Sequence, residues 1–241
     1  MAGGKPKSAE MFPGPGFRIR NDIERPSPET VAAFRAFDTP DVSDLLNRLY
    51  TMSTRIQLLS DPAHKLVGPA ITVKVYPGDN LMVHKALDVA QPGDVVVVDS
   101  SSSMMTAVLG DLVSMKARHR GVAGFVVDGL IRDLPGIRAM GDFPVFAAGV
   151  TPIGPLHRGP GEINHDASVG GVVVHAGDII VGDLNGVVVV PRDAADDLAG
   201  RLADTVGGLA EYTAAVARGE FSNDWVDNLL AEHGLGNGTT S

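Results

Sequence analysis

The segment GFVVDGLIRDLPGI, residues 124–137, decides the fold that the sequence predicts. It opens with the apolar run Phe125-Val126-Val127, which is typical of a strand buried on both faces of a parallel sheet. The segment then reaches Arg132 and Asp133, a guanidinium next to a carboxylate. Two adjacent charges after a core strand raise the question of whether the strand ends at a functional site or only at the surface.

Similar short runs, mostly of β-branched residues, recur on both sides of this one and predict further buried strands. They lie at residues 70–76, 95–98, 172–174, 179–181 and 187–190. One helix is predicted between them, beginning somewhere between Met105 and Gly110 and running to about Arg118. Basic residues crowd its end, as suits the helix dipole, and Gly121 supplies a C-cap. Strands that alternate with a helix indicate an α/β core.

The two ends of the chain have helical patterns. Ser27-Pro28 offers an N-cap followed by proline, and Thr39-Pro40 repeats that signal before apolar residues at helical spacing, Val42, Leu45, Leu46 and Leu49. A longer helix is predicted from Arg192 to Arg218. We therefore expect a flexible N-terminal extension at 1–26, an α/β core at 27–193 and a C-terminal helical segment at 194–241 that packs on a neighbouring subunit.

The composition limits the classes of function. The 241 residues, 44% of them hydrophobic, suffice for one packed core, and the formal net charge of −9 disfavours a nucleic-acid surface. The absence of cysteine excludes disulfides, thiolate nucleophiles and cysteine-ligated zinc. No apolar run approaches the roughly 20 residues of a membrane span. We expect a cytoplasmic protein that binds neither nucleic acid nor membranes.

The spacing between Asp111 and the Arg132-Asp133 pair corresponds to one helix and one strand. A helix of about 10 residues rises about 15 Å, and a strand of about 5 residues returns over a similar length. The chain can therefore bring Asp111 back beside Arg132 and Asp133, which would make the end of the strand a site.

These side chains suit a metal ion and an α-keto acid. Asp133 is a hard oxygen ligand for Mg²⁺ or Mn²⁺, and Asp111 could hold one of the waters that Mg²⁺ usually keeps. Arg132 matches a carboxylate with two hydrogen bonds, and the amides of Leu112 and Val113 would face the same anion if the helix begins at Gly110-Asp111. The metal would then act as a Lewis acid on the keto oxygen, as in carbon–carbon bond cleavage.

Simpler interpretations stand beside this one. Asp133, which precedes Leu134-Pro135, could be only a helix N-cap, and Arg132 with Asp133 could be a solvated ion pair contributing less than ~1 kcal/mol. A Schiff-base role for Lys74 would indicate a lysine-dependent aldolase instead, although a cross-strand or surface position is commoner for such a lysine.

The segment GDLVSMKARHRGVAGFVVDGLIRD, residues 110–133, resembles the signature of the RraA-like family, and in particular its class II pyruvate aldolases. These are the 4-hydroxy-4-methyl-2-oxoglutarate/4-carboxy-4-hydroxy-2-oxoadipate aldolases. Further blocks resemble the family in the same order, from about residue 30 to 193. They are DVSDLLNRL (41–49), GPAITVKVYPGDN (68–80), PGDVVVVD (92–99), FPVFAAGVTPIGP (143–155) and GDIIVGDLNGVVVVP (177–191).

The resemblance implies a single α/β domain of the swivelling β/β/α type, in homotrimers or homohexamers with sites at subunit interfaces. It implies a divalent-metal-dependent aldolase that cleaves a 4-hydroxy-2-oxo acid to pyruvate and a second oxo acid. Asp133 would ligate Mg²⁺ or Mn²⁺, and Asp111 would bind it through water. Arg132 would hold pyruvate together with the backbone from Gly110 to Val113, including the amides of Leu112 and Val113.

The resemblance also implies a glutamate contributed by the C-terminal helix of a neighbouring subunit. Glu211 is the best match and Glu220 the second. An oxaloacetate decarboxylase side activity follows from the same chemistry. Other members of the family bind and inhibit a ribonuclease without catalysis and lack the full acidic set, so a non-catalytic regulator is the alternative function. Retention of Asp111, Arg132 and Asp133 favours the enzyme.

Overall fold

The computed structural model describes residues 14–60 and 65–235, with the side chains of residues 206, 207 and 209 excepted. Residues 1–13 of the predicted N-terminal extension and 236–241 of the predicted C-terminal segment lie outside the described residues. The strands are β1 (Phe17–Ile19), β2 (Gln57–Leu58), β3 (Leu66–Val75), β4 (Val95–Leu109), β5 (Gly124–Ile131), β6 (Val145–Val150), β7 (Gly161–Ile163), β8 (Ala167–Val169), β9 (Val172–Val174), β10 (Ile179–Asp183) and β11 (Gly186–Val190). The helices are α1 (Pro28–Ala33), α2 (Thr39–Leu45), α3 (Leu81–Val89), α4 (Asp111–His119), α5 (Leu134–Ala139), α6 (Ala195–Ala217) and α7 (Asp224–Glu232).

The main sheet is built around four parallel strands, β3 to β6. Its strand order is β1-β7-β3-β4-β5-β6-β2, and β10 and β11 add an antiparallel pair beside the first half of β3. Helices α3, α4 and α5 connect the parallel strands in turn. The carboxyl ends of these strands consequently meet at one edge of the sheet, where ligands of open α/β sheets bind.

The valine-rich run of β4 explains how the sheet is buried on both faces. Val96 and Val98 belong to the apolar core that includes residues of α3, α4 and α5. Val95 and Val97 belong to a second core that includes residues of β8 to β11. Alternate side chains of a strand point to opposite faces, so a continuous apolar run fills both cores at once.

Helix α1 begins as its sequence predicts. The Ser27 side chain accepts a hydrogen bond from the Thr30 amide at 3.1 Å, and Pro28 is the first helical residue. Helix α2 is shorter than the apolar spacing predicts. It ends at Leu45, because Asn47 and Arg48 take left-handed backbone angles, with φ of 53° and 64°.

Strand β4 is longer than the predicted run at 95–98 and continues to Leu109. Its pairing with β5 is regular as far as Asp99 and then shifts register at Ser103, Ala107 and Leu109. Only three residues of β5, Gly129 to Ile131, pair with this longer stretch. The extra residues of β4 must therefore bulge from the sheet before the strand reaches α4.

The predicted N-terminal extension contributes a strand. Residues of β1 pair in parallel with β7, and Arg18 forms an ion pair with Glu162 at 2.8 Å. The Glu162 carboxylate also accepts the Gly16 amide at 2.7 Å. Because its pairing partner lies about 145 residues away along the chain, this strand has no local signal in the sequence.

The chain divides into two compact units, the first ending at Gly200 and the second beginning at Arg201. The first unit contains the sheet, and its mixed α/β architecture agrees with the predicted fold class. Described residues of the second unit form the remainder of α6 and then α7, so the predicted C-terminal helices are confirmed. Within the described residues, no helix combines the length and apolarity needed to cross a membrane.

Candidate active site

The candidate site lies at the carboxyl ends of β4 and β5. β4 ends at Leu109 and β5 at Ile131, and the amide of Arg132 donates to the Leu109 carbonyl at 3.0 Å. This hydrogen bond sets Arg132 beside Gly110, the residue that precedes α4. The first residues after two neighbouring parallel strands are thus held together by the backbone.

Gly110 and Gly154 allow the charged side chains of Arg132 and Asp133 to lie close to the backbone. A Cβ at Gly110 would overlap the Asp133 carboxylate and lie 3.0 Å from the Arg132 Cγ. A Cβ at Gly154 would lie 2.5 Å from the Arg132 guanidinium, closer than real Cβ atoms come. Gly110 was predicted to contribute to the site, and its missing side chain is what leaves room for Asp133.

Asp111 is the first residue of α4 and packs against α5. A Cβ at Gly136 would lie 2.8 Å from the Asp111 Cβ, so the two helix starts touch here. Since α5 begins directly after Asp133, the structure brings Asp111, Arg132 and Asp133 to one edge of the sheet. The spacing argument anticipated this neighbourhood, and the roles assigned to the three residues stay predictions.

Asp133 occupies the N-cap position of α5 without capping it. Its side chain makes no capping hydrogen bond in the described structure, and its backbone is left-handed, with φ 54° and ψ 38°. For a residue with a side chain, this conformation costs about 1 kcal/mol. The simple N-cap interpretation therefore does not account for Asp133. Its Oδ2 lies 3.2 Å from Arg132 Nε, with both side chains a little over 40% exposed.

The start of α4 offers backbone amides beside this pair. The Asp111 carboxylate accepts the amide of Leu112 at 2.7 Å, so one of the two predicted anion-binding amides is engaged by its own neighbour. Asp111 must turn away before both the Leu112 and the Val113 amide can meet a ligand. A carboxylate over a helix start occupies the position where the amides and the helix dipole favour an anion.

A cavity of about 340 Å³ joins most of the predicted site residues to others that were not among them. Of the predicted residues, it is lined by Gly110, Leu112, Val113, Arg132 and Asp133, and further lining residues are Asn80, His84, Leu109, Lys116, Pro155 and His157. Asp111, although it lies at the same edge of the sheet, is not among the residues that line the cavity. One signal was present: Asn80 follows β3, whose carboxyl end lies beside that of β4.

The electrostatics of the cavity suit an anion. Arg132 and Lys116 line it together with one carboxylate, Asp133. Burial, followed by repulsion from His157 and Lys116, lowers the pKa of His84 below its usual value. His84 is therefore neutral at physiological pH, and the permanent positive charges are the guanidinium and the ammonium.

The carboxylates fit a hydrated Mg²⁺ or Mn²⁺ better than zinc. Among residues 14–60 and 65–235 no group of three or more His, Asp or Glu side chains could hold a metal by itself. Asp133 and Asp111 offer hard oxygen atoms at a half-exposed position. Such a set matches a cation that keeps most of its waters, and one carboxylate with a second nearby would be sufficient.

Glu211 lies on α6 and Glu220 in the loop that follows it, both in the second unit and both exposed. Glu220 is paired with Arg218 at 2.7 Å, whereas no such pair is found for Glu211 among the described residues. The role predicted for either glutamate, in the site of a neighbouring subunit, stays a prediction.

Comparison with known proteins places the chain in a family. The RraA-like family, described as Aldolase/RraA, matches residues 39–189. A relative from Halalkalibacterium halodurans, named "Putative 4-hydroxy-4-methyl-2-oxoglutarate aldolase", is 43% identical over 162 residues, which are 67% of this chain and 76% of that protein.

Solved structures agree with this assignment. Streptomyces coelicolor RraAS2, described as an unusual member of the RNase ES inhibitor RraA protein family, is 30% identical, with a TM-score of 0.70 over 79% of this chain and 98% of its own. An uncharacterized protein from Pseudomonas syringae shares the fold at 24% identity, with a TM-score of 0.73 over 83% and 97% of the two chains. The chain belongs to the RraA-like family.

Proposed function

We propose that this protein is a divalent-metal-dependent carbon–carbon lyase that cleaves a 4-hydroxy-2-oxo acid to pyruvate and a second oxo acid. One observation carries the proposal: Arg132, Asp133 and the amide-bearing start of α4 line the same cavity. The name of the Halalkalibacterium halodurans relative supports the same reaction class.

Each residue then has a task set by its chemistry. Arg132 and the amides of Leu112 and Val113 bind the carboxylate of the 2-oxo acid and orient its keto group toward Asp133. Asp133 holds the divalent cation, Mg²⁺ or Mn²⁺, and Asp111 holds a water of its shell. When bound, that cation supplies Lewis-acid polarisation of the keto oxygen. Oxaloacetate decarboxylation breaks a bond at the same carbon of the pyruvyl fragment, so we propose it as a side activity.

We also propose that the protein assembles into homotrimers or homohexamers. Large apolar side chains are exposed around the site in the single chain, which favours burial against another copy. They are Met104, Met105, Leu112, Met115, Ile153 and Leu156. In such an assembly Glu211 of a neighbouring copy would complete the metal's water shell. Light scattering coupled to size-exclusion chromatography measures the molar mass in solution, which should be three or six times that of one chain.

The decisive assay follows pyruvate release from a panel of 4-hydroxy-2-oxo acids, coupled to lactate dehydrogenase. Activity is expected with Mg²⁺ or Mn²⁺ and should disappear in EDTA, then return when metal is added in excess. Since lactate dehydrogenase needs no added divalent ion, pyruvate added to the EDTA sample checks the coupling. Full pyruvate release in EDTA would refute the metal-dependent mechanism.

A non-catalytic regulator of ribonuclease activity is the second candidate, favoured by the structural match to RraAS2, which is described as a member of an RNase-inhibitor family. Purified protein would then inhibit RNA cleavage by a ribonuclease of the RNase E class at stoichiometric concentration. Inhibition that is unchanged by EDTA, together with no pyruvate release from any substrate, would favour this function over the lyase.

A further inference from the structure

One wall of the cavity is built around the buried side-chain amide of Asn80. Its Nδ2 donates to the backbone carbonyl of Val108 at 2.8 Å, one residue before the end of β4. Its Oδ1 lies 2.6 Å from Nδ1 of His157. The amide is only 2% exposed, so it holds both partners in fixed positions.

These two hydrogen bonds determine the tautomer of His157. A backbone carbonyl only accepts, so the group facing Val108 must be the NH₂ of Asn80 and the group facing His157 must be its carbonyl oxygen. The Nδ1 of His157 therefore carries a proton. In the neutral ring the other nitrogen, Nε2, then has a lone pair and can act as a base.

The loop that carries His157 is held by backbone bonds on both sides. The backbone amide of Leu156 donates to the Gly78 carbonyl at 2.7 Å, and the backbone amide of Asn80 donates to the Leu156 carbonyl at 3.0 Å. The Arg158 amide donates to the Asp79 carboxylate at 2.5 Å. The ring of His84 meets that of His157 edge to face, with centroids 5.5 Å apart. His157 is thus positioned even though it is exposed in the single chain.

We propose that His157 is the base that removes the proton from the C4 hydroxyl of the substrate. The assignment rests on the proposed lyase function and deepens it. His157 lines the same cavity as Arg132 and Asp133. In this proposal the carboxylate end of the substrate binds at Arg132, and its remaining part occupies the portion of the cavity lined by Asn80, His84 and His157.

The step balances with the groups present. Nε2 of His157 takes the hydroxyl proton, the C4–O bond becomes a carbonyl, and the C3–C4 bond breaks with its electron pair passing to C3 of the pyruvyl fragment. Water protonates C3 to give pyruvate, and the imidazolium returns its proton to the resulting hydroxide. Decarboxylation of oxaloacetate has no hydroxyl proton to remove, so it does not need this base.

The test compares the two reactions in the full-length metal-loaded protein. His157→Ala should lose about 100-fold or more of its aldol cleavage rate, the range for removal of a general base, while oxaloacetate decarboxylation stays within about threefold. His157→Gln keeps a hydrogen-bond donor for Asn80 but has no base, so it should lose aldol cleavage and retain decarboxylation as His157→Ala does. Added imidazole should restore cleavage in His157→Ala. His119→Ala, at the exposed end of α4, serves as the histidine control and should match the wild type in both reactions.

The outcomes separate the two proposals. Cleavage by His157→Ala at the wild-type rate, or an equal loss in both reactions without imidazole rescue, overturns the role of His157 and leaves the lyase function standing. A wild-type protein that cleaves no 4-hydroxy-2-oxo acid overturns the lyase function, and the assignment of His157 with it.

Discussion

Strands β4 and β5 each contain one aspartate and are each followed by another, and the two pairs have opposite surroundings. Asp99 and Asp128 are register neighbours in the sheet and are each 3% exposed. Asp111 and Asp133 follow the ends of the same strands and lie at a half-open surface. The same residue type is thus buried within the two strands and accessible just after them.

The buried pair has its oxygen atoms occupied. Asp128 accepts from Arg55 at 2.9 Å, from the Ser102 hydroxyl at 3.0 Å and from the Gly170 amide at 3.1 Å. Asp99 accepts the amides of Ser101 at 2.8 Å and Ser168 at 3.2 Å. Such bonds compensate for the loss of water around a buried charge, and they leave little capacity for a ligand.

Asp111 and Asp133, the accessible pair, accept fewer hydrogen bonds in the described structure. In the described structure Asp133 contacts only the Arg132 guanidinium among charged groups, and Asp111 accepts only the amide that follows it. A carboxylate has about four acceptor positions, so most of them remain for a cation and its waters. The hydrogen-bond partners of each acid, more than its place on the sheet, therefore make Asp111 and Asp133 the candidates for ligand binding and Asp99 and Asp128 structural groups.

Asp133→Asn should produce the largest effect, because it removes the charge that the proposed cation needs. We expect turnover to fall about 1000-fold, equivalent to about 4 kcal/mol of transition-state stabilisation. The melting temperature should hardly change, since Asn tolerates the left-handed conformation of this position. Pyruvate release measures turnover, Mn²⁺ titration measures loss of cation binding, and thermal denaturation measures the melting temperature.

The control for that variant is Asp44→Asn, an exposed acid of α2 paired with Arg48. It removes the same charge far from β4 and β5 and should retain wild-type turnover. Turnover by Asp133→Asn within tenfold of the wild type would mean that the accessible pair is no more functional than the buried one.

Asp128→Asn should have the opposite effects, lowering stability and leaving turnover unchanged. Its buried partners would lose a charged acceptor, at a cost of about 2 kcal/mol in the free energy of unfolding. Turnover per folded molecule should be unchanged. Urea denaturation and the pyruvate assay test both statements. Lost turnover with normal stability would instead place the buried pair in the chemistry.

A further buried carboxylate, on β10, extends the comparison beyond β4 and β5. Asp183, at the end of β10, accepts the amide and hydroxyl of Thr39 at 2.8 and 2.7 Å and the Asn185 amide at 2.8 Å. Burial acts to raise its pKa, but these hydrogen bonds outweigh burial and hold the pKa below the usual value for Asp. It resembles Asp128 in being occupied by structural partners.

The consequence for stability follows from the sign of that shift. A depressed pKa means that the ionised form stabilises the fold above the unfolded pKa, near 3.9, and that this contribution is lost as the pH falls through the folded pKa. Asp183→Asn should therefore cost about 1 kcal/mol at pH 7, and the difference from wild type should shrink below pH 4. Melting temperatures at pH 7, 5 and 3.5 decide this. A constant difference across that range would contradict the assignment.

The sequence predicted those features whose cause is local. Valine-rich runs at 95–98 and 125–127 form buried strands because both faces of the sheet are covered. The Ser27 cap is a contact over three residues. The placement of Asp111, Arg132 and Asp133 at one edge of the sheet was also foreseeable, because one helix and one strand of known rise separate them.

Other features depend on contacts between distant segments, and their sequences carry no matching signal. Strand β1 exists because it pairs with β7, and the bulging course of β4 depends on its partner β5. Asn80 and His157 meet because loops 77 residues apart are tied together. Neither residue type, at its own position, distinguishes a site from a turn.

The three glycines that contact the charged residues limit which parts of the candidate site could change during evolution. Gly110, Gly136 and Gly154 leave no room for a side chain, so any larger residue there would push on Asp133, Asp111 or Arg132. The loops around residues 80 and 157 also line the cavity and carry no such glycine constraint among the three positions. Under the proposed lyase function, the constrained positions would hold the shared pyruvyl fragment, and these loops are where residues could change with the part of the substrate that differs.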